Sequence, residues 1–143
     1  MKVLLWHGYL MSGTGSNIYT ANVARCWKRG GHDVLVMCQE PHPERFDFVD
    51  AFWSFGTENG VVDLADVDPP HDNRGRCRVV RPFIGDVLPV YVYDTYEGIQ
   101  AKLFVDLASD ELAYYTRANI EALAAVIESF EPAAIITGHE VMG

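Results

Sequence analysis

Residues 3–38 narrow the fold more than any other stretch. An apolar run, VLLWHG, breaks into the glycine-bearing YLMSGTGSN, resumes with apolar residues at helical spacing, and ends in a second apolar run, GGHDVLVMC. Ile18, Ala21, Ala24 and Trp27 recur at intervals of three, so 16–29 reads as an amphipathic helix between strands at 3–7 and 33–38. A strand that passes through glycines into a helix is the pattern of mononucleotide-binding units. Glycine lets the backbone approach an anion closely. The first helical amides, which lack intrahelical partners, and the positive end of the helix dipole favour negative charge there. Gly13, Gly15, Ser16 and Asn17 are therefore the expected anion-binding residues, with Asn17 also read as a capping residue.

What the loop lacks narrows the anion. Gly8 and Gly13 have the Walker interval, but Thr14 stands where a phosphate-binding lysine belongs. Gly13 and Gly15 supply two glycines of the dinucleotide fingerprint, and Ile18 replaces the third.

Downstream, strands are expected at 77–83, 88–93 and 133–137 and a helix at 109–130, started by Ser109, Asp110 and Glu111 and stopped by Pro132. The stripe Leu112, Tyr115, Asn119, Leu123, Val126, Ile127 and Phe130 is its apolar face. Between them, 39–76 reads as a long irregular segment with a hairpin from about Phe52 to Leu64 around an Asn-Gly turn. The aromatics Phe46, Phe48, Phe52, Trp53 and Phe55 form a small satellite core. Alternating strands and helices imply an α/β fold: a Rossmann-like three-layer α/β/α domain with a mostly parallel sheet, spanning 1–143 as one unit.

The run HGYLMSGTGSNIYTANVARCWKRGGHDVLVMC resembles the start of the family 4 (group 1) retaining glycosyltransferases of the GT-B fold. In that family a first strand enters a glycine-rich loop, then a helix of the form N-x-Y-x-x-x-L-A, then an R-G-H-x-V turn. The matching residues are Gly15, Asn17, Tyr19, Val23, Ala24, Arg29, Gly31, His32 and Val34. AAIITGHEVMG looks like the family's strand that finishes in a histidine at the cleft, and RPFIGDVLPVYVYD is compatible with its third strand and acceptor loop. Two departures stand out: Thr14 separates Gly13 from Gly15, and Gly30 is an extra residue between Arg29 and Gly31.

The resemblance implies the N-terminal, acceptor-side domain of an enzyme that moves a sugar from a nucleotide-sugar donor to an acceptor with retention. It implies His139 as the catalytic residue that orients the donor sugar, Gly13, Gly15, Ser16 and Asn17 at the donor phosphates, and Asn17, Tyr91, Tyr93 and Asp94 at a small-molecule or glycan acceptor. The nucleotide-sugar is itself the donor substrate, so no cofactor is implied. A second Rossmann-like domain holds most of the donor in that family. It is not among these 143 residues, so the chain reads as truncated at its C-terminus and inactive alone.

Other readings stay open beside it. A dinucleotide-binding module would place Gly13 and Gly15 on a pyrophosphate and Glu40 on a ribose hydroxyl. A non-catalytic nucleotide or sugar sensor would keep the fold alone. His7 and His139 both end strands at the carboxyl edge, yet two imidazoles without a third ligand make a poor metal site, and Asp66, Asp68, His71 and Asp72 lack calcium-loop spacing. No metal is therefore expected. Tyr91, Tyr93 and Tyr96 with Asp86, Asp94 and Glu97 suit the faces and hydroxyls of sugars. Asp33 and His32 belong to a turn at the far edge of the sheet, and no Ser-His-Asp order or GxSxG elbow occurs.

With 20 acidic and 11 basic residues the net charge is −9, which argues against nucleic acid and against broad attachment to anionic lipid. Arg25, Lys28 and Arg29 form the one local basic patch, read as a solvated helix face. No apolar run reaches the ~18 residues that span a bilayer, and three cysteines without a CxxC pair fit a reducing compartment, so a cytoplasmic location is expected.

Overall fold

The computed structural model describes residues 1–55, 75–92, 96 and 99–138. Its main sheet contains β1 (Lys2–Trp6), β2 (Asp33–Met37), β3 (Ala51–Phe55), β4 (Cys77–Pro82) and β7 (Ala134–Thr137), in the spatial order β3-β4-β2-β1-β7. Every pairing in it is parallel, from Lys2 opposite Asp33 to Phe55 opposite Pro82. A separate two-stranded parallel sheet joins β5 (Val87–Val90) to β6 (Gln100–Leu103).

Two helices cover the main sheet on opposite faces, because strand side chains alternate. Leu5, Val34, Val36 and Val79 meet Ala21 and Ala24 of α1 (Gly15–Arg29). Leu4, Leu35, Met37 and Val80 meet Ala122, Val126 and Phe130 of α2 (Ser109–Phe130). The chain is thus an α/β, Rossmann-like arrangement with a mostly parallel sheet, as the alternation of its elements predicts. Both helices run from the carboxyl edge of the sheet back to its amino edge, so both N-termini open at the carboxyl edge.

Several local expectations are corrected. The apolar run AAIIT forms an edge strand: among the described residues β7 pairs with β1 alone, and Ile135 and Ile136, on opposite faces, are each 44% exposed. Each forgoes part of the ~1.5–3 kcal/mol that full burial of such a side chain contributes. Residues 39–76 are not uniformly irregular, since a 3₁₀ turn (Pro43–Arg45) leads into β3. β3 pairs parallel to β4, and the turn and second arm of the hairpin expected from about Phe52 to Leu64 lie outside the described residues. The aromatics of this segment divide between the two main cores instead of forming their own: Phe46 and Phe48 pack on the α1 side, Trp53 and Phe55 on the α2 side, and Phe52 faces out.

The satellite core sits elsewhere. Tyr9, Ile84, Leu88, Val90 and Tyr115 come together where β5 and β6 meet α2, a unit whose second strand the sequence reading missed. QAKL alternates polar and apolar residues over four positions only and has no β-branched residue to announce it.

The basic patch on α1 is likewise engaged rather than solvated. Arg25 pairs with Asp47 at 2.9 Å and lies over the Phe48 ring, while Lys28 binds Asp50 and the Phe48 carbonyl. Asp50 then accepts from the Cys77 amide at 2.7 Å, so the end of α1 is fastened to the start of β4. Of the two glycines that follow α1, only Gly31 takes a left-handed φ (+82°); Gly30 does not. Gly75 is required for a different reason, as a Cβ there would lie 1.9 Å from the His32 carbonyl oxygen.

Candidate functional site

The strand order places the topological switch beside β1. Its connection through α1 leads to β2 on one side, and the connection through α2 leads to β7 on the other. In open α/β sheets the crevice outside the carboxyl ends of two such strands receives ligands. Here that crevice is bounded by His7, which follows β1, by Gly138, which follows β7, and by the glycine loop running into α1.

The loop meets α1 as an uncapped helix start. Thr14 occupies the N-cap position in extended conformation, without a side-chain cap bond, and its hydroxyl contacts only that of Ser16 among the described residues (3.2 Å). The first intrahelical bond is Ile18 N–H to Thr14 C=O (3.0 Å), which leaves the amides of Gly15, Ser16 and Asn17 ahead of it. No acidic residue lies in the first turn. Among the described residues, this 15-residue helix therefore presents donors without a partner, and a positive end without a neighbouring acidic side chain in its first turn, at the switch point. Gly13 takes φ +92°, which turns the chain into this start.

Asn17 faces inward, and Ile18, expected on the core face, is exposed: the buried face of α1 begins one residue earlier than its apolar residues suggest. The reason is His7. Asn17 Nδ2 donates to the Ser12 carbonyl (2.6 Å), which leaves its Oδ1 to accept from His7 Nε2 (2.8 Å). Both side chains are fully buried. Asn17 is therefore neither a helix cap nor a side chain turned toward a ligand; only its backbone N–H belongs to the presented set. Gly138 lies against the other side of the imidazole, where a Cβ would come within 2.9 Å of Nδ1.

Between the first turns of α1 and β7 lies a cavity of about 260 Å³, walled by His7, Ser16, Tyr19, Trp27, Ile136 and Gly138 among others. Tyr19 is 70% exposed at its mouth. A larger cavity, about 610 Å³, lies away from the glycine loop between Ile84–Pro89 and the start of α2, with Asp86, Asp110, Tyr114 and Arg117 in its wall. Arg117 rests over the Tyr114 ring. Of the two, the smaller one reaches the start of α1, at Ser16.

Of the expected acceptor residues, Tyr91 lies just past β5 rather than within it, stacked on Phe104 at 4.8 Å, with its amide donating to the Tyr9 hydroxyl (3.3 Å). Burial pushes the Tyr9 phenol above its usual range and that of Tyr115 up to about 12, so both are neutral. Tyr93, Asp94 and Glu97 lie outside the described residues, as do His139, Glu140 and the Asp66 to Asp72 group. The described residues contain no group of three or more His, Cys, Asp or Glu side chains able to hold a metal, and no helix among them is long and apolar enough to cross a membrane.

Glu40 is not displayed for a ribose. It is only 4% exposed, and its two oxygens accept from the backbone amides of Met11 (2.9 Å) and His42 (3.1 Å). Sequence reading missed this role and that of His7 toward Asn17. The only available signal was an unpaired acidic or polar residue directly after a wholly apolar strand.

The fold and this edge define a Rossmann-like α/β unit with an uncapped helix start at its switch point. Comparison with protein-family models, curated proteins and solved structures gives no match for the chain.

Proposed function

We propose that the chain is the N-terminal, acceptor-side domain of a retaining glycosyltransferase of GT-B architecture, using a nucleotide-sugar donor. One observation carries the reading: the uncapped start of α1, with the amides of Gly15, Ser16 and Asn17 without a partner among the described residues and no acidic residue in the first turn, at the switch point of a parallel sheet. Donors fixed where charge develops stabilise a transition state, and here the charge is that of a departing diphosphate. The resemblance of 7–38 to the family supports the assignment, and the buried carboxylate of Glu40 weighs against the dinucleotide alternative.

In this reading Gly13, Gly15, Ser16 and Asn17 hold the donor phosphates through backbone N–H groups. His139, one residue past Gly138, orients the donor sugar. The acceptor is seated by the 84–97 segment with Tyr91, Tyr93 and Asp94; the larger cavity takes Ile84, Asp86 and Pro89 of that segment into its wall, and its tyrosine and carboxylate side chains suit a polyhydroxylated molecule. A second domain completes the donor site, so this chain binds donor weakly and does not transfer sugar alone.

Calorimetric titration of the chain with UDP, GDP and NAD separates the readings. Weak binding of at least one diphosphate with NAD no tighter is the expected result. NAD binding more tightly than either would replace the transferase reading with the dinucleotide one.

A further inference from the structure

We propose that Glu40 is the positioning residue of the glycine loop, holding residues 9–12 in the shape that presents the anion-binding amides. The inference rests on the reading of that loop as a diphosphate site. β2 ends at Met37, and the next residues turn under the loop as a buried polar pair, Gln39 and Glu40. Gln39 donates its amide to the Tyr9 carbonyl (2.7 Å), and its side chain reaches the Pro82 carbonyl (2.8 Å) at the end of β4. Glu40 takes the Met11 amide on one oxygen and the His42 amide on the other. With Asn17 holding the Ser12 carbonyl, the loop is gripped at Tyr9, Met11 and Ser12, immediately before Gly13 turns it into α1.

The carboxylate makes this grip stiff. Burying a carboxylate is costly unless it is hydrogen-bonded, and charge-assisted bonds from backbone amides are among the stronger ones available. Those bonds exist only in the present loop conformation. A loop that swung away would leave a buried charge with half its partners, so the cost of ordering the loop is met on folding rather than on binding.

The sign of the effect distinguishes positioning from electrostatics. Glu40 places a negative charge behind a site for an anion, so removing the charge should by itself tighten anion binding, whereas releasing the loop should weaken it. Glu40→Gln is isosteric and keeps one acceptor oxygen, but turns an N–H₂ group toward the other backbone amide. The full chain and this variant are compared by amide hydrogen exchange and by titration with UDP. The Met11 amide should exchange at least about tenfold faster in Glu40→Gln while the Leu35 amide in β2 is unchanged, and UDP affinity should fall several-fold. Unchanged exchange at Met11, or tighter UDP binding, overturns the inference. If the unsubstituted chain binds no UDP the site reading falls, and the exchange comparison still decides the clamp. Glu40→Asp, which keeps the charge and withdraws the oxygens by one methylene, carries the same expectations should Glu40→Gln not fold.

Discussion

His7 Nε2 donates to Asn17 Oδ1 across 2.8 Å, and through this bond the end of β1 fixes the first turn of α1. Asn17 passes the constraint on to the Ser12 carbonyl, so strand, loop and helix meet at one buried carboxamide. The direction in which α1 aims its free amides is set by two side chains that themselves touch no solvent.

Asn17→Ala should therefore act on stability. It leaves the fully buried His7 Nε2–H without its Asn17 acceptor, and an orphaned buried group costs roughly 1–3 kcal/mol. Urea denaturation should show a lowered midpoint with an unchanged slope. A midpoint equal to that of the unsubstituted chain would mean that the pair does not hold the helix start.

Two glycine substitutions should separate packing from freedom. Gly75→Ala drives a Cβ into the His32 backbone, which cannot yield as a flexible side chain does, and overpacking of this kind costs about 1–3 kcal/mol or more. Gly15→Ala meets nothing within 4 Å and has no positive φ, so it should be neutral or slightly stabilising at a helix start. Equal melting temperatures for the two variants would contradict this placement of residue 75.

Long periodic elements were legible in the sequence. β1, β2, β4 and both helices appear within a residue or so of their expected bounds, because each combines an apolar run or stripe with an unambiguous terminator such as Gly31 or Pro132. β6 was not legible, and β3 was legible only as the first arm of the expected hairpin, not as a parallel partner of β4. AFWSF is a half-buried edge strand whose partner, β4, arrives more than twenty residues later, and such pairing leaves no local signal. The glycine loop could be located from the sequence, but the inward turn of Asn17 could not. An asparagine in the first turn of a helix reads as a cap or a ligand contact until the buried histidine opposite it is known. The start of α2 falls at Ser109 as expected, with Ala108 at the N-cap position, whose amide donates to Glu111 Oε2 at 2.7 Å.

That bond gives α2 a defined pH response. The Lys102 ammonium at 2.6 Å, and after it the Ala108 amide, hold the Glu111 carboxyl below the ordinary carboxylate range. A depressed folded value means that the contribution is fully present above the unfolded value, ~4.3, and fades as pH falls through the lower folded one. Glu111→Gln should thus narrow the stability difference from the unsubstituted chain as pH drops from 6 to 3. A difference that stays constant over that range would remove Glu111 from the helix start.

The cysteines should differ in reactivity. Burial pushes the thiols of Cys38 and Cys77 up to about 12, whereas Cys26 is exposed on α1. At pH 8 a thiol-disulfide reagent should modify Cys26 and spare the other two until denaturant is added. Rapid modification of all three in the folded chain would mean that the core around β2 and β4 opens readily.

The central claim is that the start of α1 receives a diphosphate. Titration of the isotope-labelled chain with UDP, followed by amide chemical shifts, tests it directly. The account predicts that the largest shifts fall on Gly13, Gly15, Ser16 and Asn17, with smaller ones at Met11 and none along the exposed face of α2. Shifts confined to residues away from the glycine loop, or no saturable shift at millimolar UDP, would contradict it.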